Sequence, residues 1–177
     1  MSNRRIWLLG ILAVVSATAL GVGLATAAGS SGGPIVKTPG EATFKINQYA
    51  KESHRFAPGT VTVASGGTVT FENTSKDEPH TATIGTKAQM PRSFEQRCAP
   101  CEQAAGHLKN PKDENSPVKT YVLNKGQPGF DMPGDSVLIA PKGPHKTAKV
   151  VISAPAGTVL YYVCAIHPWM QGRIIVK

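Results

Sequence analysis

Cysteine is scarce in this chain: three among 177 residues, at positions 98, 101 and 164. That is too few for the disulfide framework that holds many small exported domains together. Aromatics are few as well, 6% of residues, and charged residues make up only 17%. Low charge with 41% hydrophobic content argues against a disordered chain and for a packed core. Acidic residues number 11 against 19 basic ones, a formal charge of +8. The lysines are scattered singly, with no arginine-rich stripe and no interleaved aromatics, so a nucleic-acid surface is not expected. The charge is left to solvate the surface or to steer an acidic partner or anionic lipid.

The N-terminus reads as a targeting segment. Arg4 and Arg5 precede an uncharged stretch from Ile6 to Val36, whose apolar part ends near Ala28. Ala25-Thr26-Ala27 is a small-x-small cleavage pattern, which makes residues 1–27 a signal peptide. Residues 6–28 are also long enough to act as a retained membrane anchor. Either way the domain is exported, to the periplasm or the outer face of the cytoplasmic membrane. Export is by the general secretory route or by the twin-arginine route, whose signals Asn3-Arg4-Arg5 resembles. Residues 28–40, beginning Ala-Gly-Ser-Ser-Gly-Gly, are expected to be a flexible linker, and 41–177 the folded domain.

Within that domain the signals are those of strands and turns. The stretch GTVTVASGGTVTFEN, 59–73, is two alternating runs joined by Ser-Gly-Gly and predicts a hairpin. Further strands are expected at 80–84, 136–140, 147–153, 158–164 and 172–177, rich in Val, Ile, Thr and Tyr. This is an all-β pattern, an antiparallel sandwich or barrel. Residues 85–119 break it. They are polar, carry Pro91, Pro100, Pro111 and Pro117, and hold two of the cysteines. They read as a long insertion with one short helical turn, capped by Ser93 and Gln96 and limited by Pro100.

The chemistry concentrates near the C-terminus. In VLYYVCAIHPWMQG, Cys164, His167 and Met170 offer a thiolate, an imidazole and a thioether within seven residues. Two His, one Cys and a weak axial Met make up the donor set of a blue-copper electron-transfer site. The second imidazole must come from elsewhere, and His80, after Pro79 and opening a strand, is the candidate.

The stretches FAPGTVTVASGGTVTFENTSKDEPHTATIG and AGTVLYYVCAIHPWMQGRIIVK resemble the small cupredoxins, of the plastocyanin and amicyanin kind. The amicyanin ligand loop has the same Cys-x-x-His-Pro-x-Met spacing. The resemblance covers about residues 42–84 and 135–177, and leaves the 85–119 insertion uncovered. It implies a Greek-key β-sandwich and one type 1 copper ion cycling between Cu(I) and Cu(II). His80, Cys164 and His167 would be equatorial ligands and Met170 axial. It implies a monomeric electron carrier that meets redox protein partners transiently, and not an enzyme. Val163 and Ala165 flank Cys164, where multicopper oxidases place His, and the loop has no second Cys for a binuclear centre. His167 is expected at the surface with its ring edge as the electron exit, framed by Pro168, Trp169, Met132 and Pro133. His54, His107 and His145 are expected to be ordinary residues.

Cys98-Ala99-Pro100-Cys101 leaves three readings open: a disulfide fastening the insertion, a thiol–disulfide redox motif, or a second metal site. Glu102 stands where covalent haem attachment would need His. The rival function is therefore copper storage, delivery or sensing, with Cys98 and Cys101 holding a second ion.

Overall fold

Valine and threonine alternate along several strands because one face of each meets the core and the other meets water. The computed structural model describes residues 32–93 and 95–177. The expected leader, 1–27, lies outside the described residues. Among the described residues no helix is long and apolar enough to cross a membrane.

Eleven strands and one short helix are described: β1 (Ile35–Lys37), β2 (Ala42–Lys45), β3 (Tyr49–Glu52), β4 (Thr60–Val63), β5 (Thr68–Glu72), β6 (His80–Gly85), α1 (Ala99–Ala104), β7 (Val122–Leu123), β8 (Ser136–Ile139), β9 (Thr147–Val151), β10 (Val159–Val163) and β11 (Gln171–Val176). One sheet runs β1-β5-β9 and the other β4-β11-β10-β6-β8-β7, while β2 and β3 form a ribbon of their own. Two pairs, β1 with β5 and β4 with β11, are parallel; the rest are antiparallel. The two larger sheets pack as a sandwich, the all-β architecture expected. Val36, Val69, Phe71 and Val150 from one sheet meet Val61, Ile84, Ile139, Tyr162 and Ile174 from the other in a single buried cluster. Phe71 and Tyr162 touch edge to face across the layers, ring centroids 5.4 Å apart.

Three expectations about organisation need correction. The 28–40 segment is not linker throughout: Ile35–Lys37 forms β1 in parallel register with Thr70–Glu72, and Val36 and Thr38 are fully buried. An alternating Ile-Val-Lys triplet is too short to stand out from its Gly/Ser/Pro surroundings, yet it completes a sheet edge. The 59–73 stretch is not a paired hairpin. β4 joins β11 in one sheet and β5 joins β1 and β9 in the other, so Ala64–Gly67 crosses between layers. Both runs face the same core from opposite sides, which satisfies the alternation as well as direct pairing would. Finally, Pro100 does not end a helix from Ser93. It sits in the first turn of α1, where its missing N–H costs nothing, with Cys98 as N-cap.

The insertion is a packed cap. β6 and β8 are buried at every residue, on both faces. Met90 and Cys98 pack on Val163, with Cys101 and Tyr161 alongside. The Nε2 of His107 lies 2.8 Å from the Ser136 hydroxyl, and that hydroxyl lies 2.7 Å from the Thr83 hydroxyl. His107 is thus buried and hydrogen-bonded over the sheet's outer face. Cys98 and Cys101 are bonded to each other as a disulfide, a state shared by the structural and the redox readings of that pair, and one that leaves neither sulfur free to hold a metal ion.

Candidate metal centre

Register brings the donors together. β10 and β11 form an antiparallel pair with Val163 opposite Gln171, so residues 164–170 are their connecting loop. The Cys164 N–H donates to the Met170 carbonyl at 2.9 Å, and the Met170 N–H to the His167 carbonyl at 2.8 Å. These bonds fix Cys164 and Met170 at the loop's base and His167 at its tip. β6 lies antiparallel beside β10 with Thr83 opposite Val163. Continuing that register carries His80, the first residue of β6, alongside the loop.

The Sγ of Cys164 lies 3.8 Å from the Nδ1 of His80 and 3.7 Å from the Nδ1 of His167, and the two nitrogens are 3.2 Å apart. The point equidistant from these three atoms is about 2.1 Å from each, against metal bonds of about 2.0–2.1 Å to imidazole and about 2.3 Å to thiolate. The three atoms are therefore spaced to hold one small cation. Met170 is 1% exposed and belongs to the same buried cluster as Cys164. Of the four residues singled out from sequence, the structure gathers His80, Cys164 and His167 into one buried group and seats Met170 in the core beside it.

The histidines are held by their other nitrogens, as metal-ligating histidines generally are. Nε2 of His80 lies 3.2 Å from the Ser75 hydroxyl. Nε2 of His167 lies 2.8 Å from Oε2 of Glu78. With protons on these Nε2 atoms, both Nδ1 lone pairs are free for a cation. Burial, with the neighbouring His167 and His54 adding to it, pushes the His80 pKa down to about 3. Burial also lowers that of His167, against the pull of Glu78. Both rings thus stay neutral and available. Burial pushes the Cys164 thiol up, although the Thr81 N–H, donating to Sγ at 3.4 Å, favours the thiolate. A bound cation would supply the charge that makes the thiolate the stable form.

Two residues that carry no metal-site signature in the sequence organise this corner. The Asn73 carboxamide oxygen accepts from the Thr38 hydroxyl and the Ser75 N–H, at 3.2 and 2.9 Å. Its NH2 donates to the carbonyls of Glu78 and Ile139, at 2.8 and 3.1 Å. Asn73 therefore shapes the loop that delivers Ser75, Glu78 and His80. An Asn ending a strand before Thr-Ser is a turn signal that would have pointed to it. The second residue is His54, expected to be ordinary. It is 3% exposed and its ring centroid lies 5.0 Å from that of His80 and 4.9 Å from that of His167. No local pattern announces it.

His167 is not the surface residue expected. It is only 4% exposed, because Glu78 and His54 cover its outer edge. Trp169 meets its ring edge-on at 5.2 Å and is itself 44% exposed. Met132 and Pro133 do not frame this end. Their turn bonds to Ile84 through the carbonyl of Asp135 and the N–H of Gly134, four residues along β6 from His80, roughly 13 Å away. His145 is the exposed turn residue expected, its ring stacked on Tyr121 at 3.5 Å.

No family model matches the sequence, and no curated protein matches it. Solved structures do. A purple cupredoxin from Nitrosopumilus maritimus is 13% identical, with 81% of this chain and 99% of that one covered and a TM-score of 0.42. A reduced auracyanin from Roseiflexus castenholzii is 18% identical, covering 84% and 99%, TM-score 0.46. Auracyanin A from Chloroflexus aurantiacus, described as a "blue" copper protein, is 23% identical, covering 82% and 100%, TM-score 0.44. In architecture the chain is a two-sheet β-sandwich, and its buried His80–Cys164–His167 group, with Met170 in the same core cluster as Cys164, has the donor set of a mononuclear type 1 copper site.

Proposed function

We propose that this protein binds one copper ion through His80, Cys164, His167 and Met170 and carries single electrons between redox proteins outside the cytoplasmic membrane. The observation that carries the reading is the triangle of donor atoms, whose centre lies at metal-bond distance from a thiolate and two imidazoles. When bound, copper would supply a one-electron Cu(I)/Cu(II) couple. The protein's part is to keep the donors in place through the change. Ser75 and Glu78 hold the two rings, Thr81 bonds the sulfur, and the loop's own backbone bonds fix Cys164 relative to Met170. Donors held in this way move little when charge changes, which keeps electron transfer fast.

Four protein donors leave no open position for a substrate, which favours a carrier over an enzyme. The storage and delivery alternative drew on Cys98 and Cys101 as ligands. With those sulfurs bonded to each other it loses its support. With the His167 edge covered, the route to a partner runs through Trp169, whose half-exposed indole touches that ring. Ile166, 45% exposed on the same loop, extends the apolar surface there.

The test is colour and stoichiometry. Copper-loaded protein is expected to take one copper per chain and show an intense visible thiolate-to-copper band. The band should vanish in Cys164→Ser and persist in Cys98→Ser. A copper content that falls with Cys98→Ser, or a wild-type protein without the band, would reject the reading. Trp169→Ala should slow electron exchange with a redox partner while leaving the band in place.

A further inference from the structure

Beside the thiolate site lies a second group of donors that shares His167 with it and adds Glu52 and His54, to which the carrier function gives no role. Glu52, His54, Glu78 and His167 each offer one donor atom, and these four atoms all lie within 4.8 Å of one another. The Glu52–His54 and Glu78–His167 pairs are each 2.8 Å apart, and His54 Nδ1 is 3.9 Å from the Glu78 oxygen. The two imidazoles are buried, 2% and 6% exposed in their side chains, while the carboxylates are 34% and 36% exposed. A cleft of about 280 Å3 lined by His54, Ser75, Lys76, Asp77 and Glu78 opens two of the four, His54 and Glu78, to solvent.

We propose that Glu52, His54, Glu78 and His167 form a second metal site, for a divalent first-row cation. Two imidazoles and two carboxylates are a donor set suited to Zn2+ and its neighbours. Donors around a tetrahedral cation with bonds of about 2.0–2.1 Å stand about 3.4 Å apart; the pairs at 2.8 and 3.9 Å lie on either side of that spacing, and the widest pair, within 4.8 Å, has to close by at most about 1.4 Å. Glu52 has the freedom to make that movement. It ends β3, in a ribbon whose eight strand residues are all exposed and which pairs with neither large sheet. An isolated two-stranded ribbon is marginal in water. A cation shared by Glu52, His54, Glu78 and His167 fastens its end to the sandwich, over the His167 edge that Glu78 and His54 already cover.

The four-donor site stands by itself, but one consequence rests on the copper reading. His167 faces the thiolate group with Nδ1 and this site with Nε2. With both sites filled, its ring bridges the two ions. The Nε2 proton then leaves to solvent, and His54 binds as the tautomer protonated on its own Nε2. The two carboxylates balance the charge of the incoming cation.

Zinc is the probe, added to the copper-loaded full chain. The expected result is one zinc retained per chain after gel filtration, with copper content unchanged and the visible band shifted. Glu52→Gln, at a half-exposed position, should weaken zinc binding at least tenfold and abolish the shift, while keeping the copper and the original band. No retained zinc, zinc retained equally by Glu52→Gln, or zinc gained only as copper is lost would each overturn the proposal. Should the copper reading itself fail, Cys164→Ala separates the two questions. Zinc bound by Cys164→Ala and lost on adding Glu52→Gln supports the second site alone, whereas zinc bound equally by both overturns it.

Discussion

Thr81 grips the ligand loop at two consecutive residues: its N–H donates to the Sγ of Cys164 at 3.4 Å, and its hydroxyl accepts from the N–H of Ala165 at 2.8 Å. The same hydroxyl accepts from Thr83 at 3.3 Å. Thr81→Val keeps the shape and the N–H···S bond but leaves the Ala165 N–H without its partner. The expected cost is about 1–3 kcal/mol, read by denaturant unfolding of the copper-loaded protein. A shift of the visible band should accompany it, because the sulfur's neighbour is freed.

Asn73→Ala is expected to be more damaging to metal binding than its distance from the donors suggests. It removes the bonds that shape residues 73–79, so Ser75 and Glu78 lose their positions behind His80 and His167. Losing such outer partners typically costs 10–100-fold in metal affinity. A competition titration with a copper chelator measures it, and unchanged affinity would contradict the role given to Asn73.

Gly172 and Tyr162 face each other across β10 and β11. A Cβ on Gly172 would collide with Cζ and the hydroxyl of Tyr162, so the ring occupies the space a side chain would need. Gly172→Ala should destabilise by about 1–3 kcal/mol through overpacking. The Tyr162 hydroxyl is buried with no hydrogen-bond partner among the described residues, so Tyr162→Phe should leave stability unchanged or raise it. Thermal unfolding of the two variants distinguishes these signs.

Acid should weaken the copper-loaded fold through His107. Burial lowers its pKa below the ordinary 6.5, against the opposing bond to the Thr120 carbonyl. Below about pH 6.5 the unfolded chain takes up a proton there that the folded chain refuses, so stability falls as pH falls, by at most about 1.4 kcal/mol per pH unit for one group. Above that pH its contribution is fully present. His107→Gln should flatten the pH dependence of the unfolding free energy, and an unchanged slope would rule this source out.

The strand content and the thiolate loop were legible because both are written in local order. Val-Thr alternation marks β4 and β5 wherever they pair, and Cys164, His167 and Met170 lie within seven residues of one another. His80 was legible from the Pro-His that opens its strand. The pairing of β4 and β5 was not, since an alternating run shows which face is apolar and never which sheet receives it. The insertion's polar sequence concealed a cap, because His107, Ser136 and Thr83 are buried by bonding to one another rather than by being apolar.

By itself, then, the amino-acid order determined the strand-forming runs and the chemical identity of the donor set. Tertiary packing decided that His167 would be covered rather than open, and that His54, Glu52 and Glu78 would converge on it. Those groups come from segments far apart along the chain, and their meeting depends on how the ribbon and the 73–79 loop fold back over the sandwich, which no short-range pattern encodes.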